Sequence, residues 1–175
     1  APMGRERHKV IGGGALVITV HAGDRLTLKD VEGGQPCDIS LVNGTGKFVT
    51  DAMHSGPVGD AASLKAILKS ASPIAARTAR ALARRNINVA EAKSARLFGE
   101  GSPAGSIIEL TVPLDGVLIL VAPGEAMMPS EQDTATDIEL LITRATTTPL
   151  EYADLLPEPL ADPLQDIRIK AATAS

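Results

Sequence analysis

Apolar and polar residues alternate along two runs of the N-terminal third, Arg25–Val31 with Leu26 and Leu28, and Cys37–Val42 with Ile39 and Leu41. A period of two turns one face of a strand toward a core and the other toward solvent. Between the runs stands Glu32-Gly33-Gly34-Gln35-Pro36, whose paired glycines supply the positive φ of a tight reversal. His21–Asn43 therefore predicts a β-hairpin. Asp30, Glu32, Gln35, Cys37 and Asp38 crowd its turn, which makes the turn the first place to look for a ligand.

The same reading extends along the chain. Ala15–His21 (ALVITVH) is β-branched and almost continuously apolar, a strand buried on both faces or nearly so. Gly12-Gly13-Gly14 before it lacks the GxGxxG spacing and leads into a strand, so it is a flexible entry rather than a dinucleotide fingerprint. Asn43-Gly44-Thr45-Gly46 turns into a short strand, Lys47–Thr50, and Asp51–Gly59 is a loop carrying His54. A helical insert follows over residues 60–86. Asp60 suits the N-cap of its first helix, with Leu64, Ile67 and Leu68 on one face; Ser72 and Pro73 open a second. There Ile74, Thr78, Ala81 and Leu82 point inward and Arg77, Arg80 and Arg84 form a separate row.

Ala90–Phe98 fits helix or strand equally, and Gly99–Gly105 is a loop. Ser106–Val112 alternates, whereas Val117–Ala122 (VLILVA) is continuously apolar and so buried, with Leu114-Asp115-Gly116 turning between them. Pro123–Thr136 reads as a long polar loop carrying Met127 and Met128, and Ile138–Thr143 as the closing strand. Ala1–Lys9 is charged and is expected to fray unless a partner covers it. Residues 146–166 hold Pro149, Pro157, Pro159 and Pro163 among acidic side chains, a stiff linker rather than packed structure. Beyond it, IRIKAATA (Ile167–Ala174) parallels HKVIGGGA (His8–Ala15) and marks residues 167–175 as the start of a following domain. Periodicity thus gives one mainly β domain over residues 1–145, α+β through its helical insert.

Composition narrows the functions open to it. At 175 residues with 2% aromatics and no Trp, the chain has an aliphatic core and no stacking platform for bases or sugars. Its net charge of -4 conceals an imbalance: Asp60–Phe98 carries eight basic side chains against two acidic ones, and the remainder is correspondingly acidic. Such regions attract one another, which points to docking within the chain or between subunits of a homo-oligomer as readily as to an anionic ligand. Nucleic-acid binding, which would use Arg77, Arg80, Arg84 and Arg85, is not expected at this charge. Cys37 is the single cysteine, no apolar run reaches the ~18 residues that span a bilayer, and the first residues have no apolar signal segment. A soluble, cytoplasmic protein without a membrane partner is the expectation.

Chemistry is sparse. His21, Cys37 and His54 could share a metal only if the fold gathered them, so no metal site is expected. Cys37 as a nucleophile would need a histidine base; a buried thiol is the simpler role. GxSxG, GxxxxGK and HExxH are all missing. Asp38, Cys37 and His54 are the candidates left for catalysis, of which none is expected to act. Glu32, Gln35 and the row Arg77, Arg80 and Arg84 are the candidates for binding.

The segment GDRLTLKDVEGGQPCDISLVN resembles the signature of the urea-carboxylase-associated family, matched here by Gly23, Asp30, Glu32, Gly33, Gln35 and Asp38. The resemblance implies a jelly-roll-like β-barrel or sandwich, and a metal held by cysteines in active members; this chain has only Cys37. It further implies tandem copies ahead of a tetrahydrofolate-binding domain, in lyases that split trimethylamine N-oxide to dimethylamine and formaldehyde. On that footing this piece is a metal-free first copy with no cofactor of its own. Zinc or iron and tetrahydrofolate would belong to following domains of the same chain, its expected partners. The alternative from another class is a small-molecule-binding or hydrolytic barrel acting on urea- or guanidine-like compounds.

Overall fold

The computed structural model describes residues 4–54, 56–70, 72–99, 101–124 and 135–145. Among these, eight strands lie in two antiparallel sheets: β1 (Arg5–Val10), β2 (Ala15–Val20), β3 (Arg25–Asp30), β4 (Asp38–Asn43), β5 (Ala95–Arg96), β6 (Ser106–Thr111), β7 (Gly116–Val121) and β8 (Ile138–Thr143). One sheet runs β1-β8-β3-β6 and the other β2-β7-β4-β5. First pairs with last, second with seventh, third with sixth and fourth with fifth. That nesting is a jelly-roll sandwich. Two helices, α1 (Ala62–Lys69) and α2 (Pro73–Arg84), are inserted between β4 and β5.

The core lies between the sheets, where Leu26 and Leu28 of β3, Ile39 and Leu41 of β4, Leu118 and Leu120 of β7 and Leu140 and Ile142 of β8 form one fully buried cluster. A second cluster lies on the far side of the β2-β7-β4-β5 sheet, where Leu64 and Leu82 of the helices cover Val42, Ile119 and Val121. This explains why β7 is apolar at every position: even-numbered side chains enter the sandwich and odd-numbered ones lie under the helices. β2 follows the same rule, with Ile18 and Val20 inward and Ala15 and Val17 against the helical layer.

Helix α2 begins as its sequence indicates. Ser72 caps it, accepting a 3.2 Å hydrogen bond from the Ala75 amide, with Pro73 in the first turn. Helix α1 differs: its cap is Ala61, in the left-handed region at φ 56°, with no side-chain bond. Asp60 does not cap it but pairs with Lys93 at 2.8 Å, and that hydrogen bond holds its carboxyl below the ordinary range.

Several expectations are corrected. β3 and β4 form no hairpin; they stand in opposite sheets, and the EGGQP stretch arches from one to the other. The reason is that both edges of β3 are already filled, by β8 and β6, and both edges of β4 by β7 and β5. Gly33 and Gly34 do take positive φ, 86° and 67°. The N-terminal residues do not fray as a whole, because Arg5–Val10 pairs along its length with β8. The strand expected over Lys47–Thr50 reduces to one bridge, Val42 with Phe48, followed by a 3-10 turn at Thr50–Ala52. Ala90–Phe98 resolves into the end of a 3-10 turn, Val89–Glu91, and β5. Met127 and Met128, the linker at 146–166 and the domain start at 167–175 lie outside the described residues.

Candidate functional site

Asp30 organises the arch. Its side chain is fully buried, Oδ1 accepts from the Gly33 amide at 3.0 Å, and Oδ2 accepts from the Gln35 amide at 2.9 Å and from Ser102 Oγ at 2.7 Å. The arch is thereby clamped to the loop before β6, where the Gly34 amide also donates to the Ser102 carbonyl at 2.8 Å. Gln35 is buried with both ends of its amide engaged: Nε2 donates to the carbonyls of Pro36 and Pro123, at 2.8 and 2.9 Å, and Oε1 accepts from the Thr136 amide at 2.8 Å. Glu32 at the tip is exposed. Two of the polar residues that draw attention in the sequence are therefore occupied in holding backbone that crosses between sheets.

Asp38 lies at the start of β4 and is 6% exposed. Arg96 of β5 grips it in a fork, Nε to Oδ1 at 2.8 Å and Nη2 to Oδ2 at 3.0 Å, and Ser63 Oγ of α1 donates to Oδ2 at 2.5 Å. The bidentate geometry ties two strands and a helix together. Beside it runs a groove of about 580 Å³ bordered by Gly13, Ser63, Ile67, Ser72, Arg96 and Gly124. Asp38 reaches this groove only through its partners. As an acid or base it would first have to leave a guanidinium and a hydroxyl.

Cys37 is fully buried among aliphatic side chains, and burial first, then the Asp38 and Asp30 charges, push its thiol well above the ordinary range. A thiol held protonated is a poor nucleophile and a poor metal ligand. His54 is part-buried in the loop after β4, and His21 stands 3.8 Å from Asp115. Among the described residues no three His, Cys, Asp or Glu side chains are grouped to hold a metal ion. The donors among the described residues do not fit a zinc or iron site. Arg77, Arg80 and Arg84 are exposed on α2, away from the arch, and Arg85 donates to the Ala81 carbonyl at 3.1 Å.

A second buried polar assembly escaped sequence reasoning. Arg144, just beyond β8, reaches Glu6 of β1 through Nε and Nη2, at 2.7 and 3.0 Å, and Asp24 through Nη1 at 2.7 Å. Burial alone would lower the guanidinium, but the bonds and charges of Glu6 and Asp24 outweigh it and raise it above the usual arginine value. Asp24 also accepts from the His21 and Ala145 amides, each at 2.9 Å. Nothing local separates a buried arginine from a solvated one in sequence. The only signal was its place directly after the closing strand.

Fold and site together define a helix-covered jelly-roll domain whose polar side chains chiefly brace its own strands. Over 173 residues, 99% of its length, the chain is 36% identical to trimethylamine-oxide aldolase of Ruegeria pomeroyi. It spans 22% of that relative's length. No family model matches the chain. No helix among the described residues is long and apolar enough to cross a membrane.

Proposed function

We propose that this chain is the N-terminal, metal-free scaffold domain of a trimethylamine N-oxide demethylase-like lyase, the whole of which splits trimethylamine N-oxide to dimethylamine and formaldehyde. One observation carries the reading: similarity covers 99% of this chain and about a fifth of an aldolase of that substrate. The side-chain geometry supports the non-catalytic part of it, because Asp30, Gln35 and Asp38 are engaged in bracing strands and Cys37 is sealed in the core. On this reading the domain is a variant of the urea-carboxylase-associated type. Zinc or iron and tetrahydrofolate act in other segments. The exposed row of Arg77, Arg80 and Arg84 docks on an acidic surface of the same assembly, a homo-oligomer.

Formaldehyde release from trimethylamine N-oxide, measured for the 175-residue chain alone and for a longer protein with and without residues 1–145, tests it. The expected result is no turnover by the chain alone, and lost assembly and activity when the domain is removed. Turnover by the chain alone, or a longer protein indifferent to its removal, rejects the reading.

A further inference from the structure

Among the described residues no helix covers the outer face of the β1-β8-β3-β6 sheet, and the strand register sets side chains there in three rows. Arg5, Thr143, Arg25 and Thr111 form the first; Arg7, Leu141, Thr27 and Glu109 the second; Lys9, Glu139, Lys29 and Ile107 the third. Their neighbours in sequence, Leu26, Leu28, Leu140 and Ile142, are the ones in the core, so these side chains face outward. Five cations stand against two carboxylates on this face. Lys9 lies 3.7 Å from Asp137; among the described residues Arg5, Arg7, Arg25 and Lys29 form no ion pair. Between them is a concavity of about 420 Å³ whose lining includes Arg7, Thr27, Lys29, Leu141 and Ile107, the last 58% exposed. A basic rim around an apolar floor fits a chain that is acidic and leucine-rich.

Such a chain leaves from this sheet. Residues 146–166 hold Glu151, Asp154, Glu158, Asp162 and Asp166 with no basic residue, and Leu150, Tyr152, Leu155, Leu156, Leu160 and Leu164 between them. Their starting point is fixed beside the first row: the Arg144 amide donates to the Gly4 carbonyl at 2.8 Å, and the Ala145 amide to Asp24 at 2.9 Å. Six-residue strands make a face about 20 Å long and, for four strands, about 15 Å wide. Twenty-one residues in an extended, proline-stiffened form reach up to ~65 Å, enough to cross it more than once. The Arg77, Arg80 and Arg84 row of α2 carries the same charge, but Ala76, Ala79 and Ala83 accompany it there and offer leucines little to enter.

We propose that residues 146–166 dock across the outer face of the β1-β8-β3-β6 sheet, acidic side chains on Arg7, Arg25 and Lys29 and leucines in the Ile107–Leu141 concavity. The sheet so covered sets where the chain goes next. This does not rest on the proposed activity.

The test is paramagnetic broadening in the 175-residue chain, with a nitroxide on Glu158→Cys; Cys37 is fully buried and stays unlabelled in the native protein. Amide signals of Arg7, Thr27, Lys29, Ile107 and Leu141 should broaden. The effect should fall at least threefold at about 0.5 M salt, where charges are screened within a few ångströms, and in the Arg7→Glu, Lys29→Glu variant. Should that variant not fold, the salt series and the broadening pattern still decide. Broadening at α2 or on the other sheet, none at all, or equal broadening when spin label and isotope are on different molecules overturns the proposal, the last by assigning the face to a second copy.

Discussion

Arg144 Nη1 donates to Asp24 Oδ2 at 2.7 Å, with the arginine side chain 3% exposed and the carboxylate fully buried. Without Arg144 the buried Asp24 would keep only the bonds from two backbone amides, and Glu6 only its contact with His8, so two carboxylates would lose their cation together. Arg144→Ala should therefore cost ~3–5 kcal/mol of unfolding free energy, the usual result of breaking a buried pair from one side. Urea denaturation measures it, and a loss below about 1 kcal/mol would show the network to be dispensable.

Gly33 permits no side chain. Its φ is 86°, and a Cβ would stand 2.7 Å from the Ala104 amide nitrogen and 2.9 Å from the Ser102 carbonyl. Gly33→Ala should destabilise by ~1–3 kcal/mol. Gly44 has nothing within 4 Å of such an atom and no positive φ. Gly44→Ala should leave the thermal midpoint unchanged or slightly raised, and equal losses at both sites would contradict this account of the arch.

The thiol of Cys37 is displaced upward in the fold, first by burial. A raised value means its contribution is complete below the unfolded thiol's pKa, about 8.5, and is lost as pH rises from there toward the folded value. Up to ~1.4 kcal/mol should go per pH unit in that window. Comparing the pH dependence of stability with that of Cys37→Ala isolates the effect. Parallel curves between pH 8 and 10, or rapid native-state alkylation at pH 8.5, would contradict it.

Ser72 caps α2, whereas Asp60 caps nothing. Ser72→Ala should cost ~0.5–2 kcal/mol, while Asp60→Asn should leave the unfolding midpoint unchanged apart from a small salt-sensitive change through Lys93. Leu82→Ala, which opens the layer between α2 and the sheet, should cost ~2–5 kcal/mol. Thermal unfolding of the three variants side by side fixes the order, and a larger effect at Asp60 than at Ser72 would invert it.

Strand and helix positions were legible wherever the apolar period was strong. β7 announced its double burial through six consecutive apolar residues, and Ser72-Pro73 announced a helix start. Strand partnership was not legible. The glycine pair in the arch takes the backbone conformation a hairpin needs, yet a positive φ serves a crossing between sheets equally well, and only the filled edges of β3 and β4 decide between them. β1 was hidden for another reason: its inward positions are Glu6, His8 and Val10, so two of three are polar, and what makes that tolerable is Arg144, far along the chain, which binds Glu6, together with the pairing of His8 with Glu6. The polar residues of the arch were found, but their engagement was not, because a carboxylate bonded to amides and one facing a ligand are written with the same letter.

The pairing of β1 with β8 also governs the order of events during synthesis. Glu6 and Arg144 are 138 positions apart; at the ribosome's ~5–20 residues per second, the first strand waits on the order of 10 s for the edge it will join. During that interval a basic ribbon is presented to the crowded surroundings of the ribosome, and translation of Ile138–Thr143 releases it into the finished sheet.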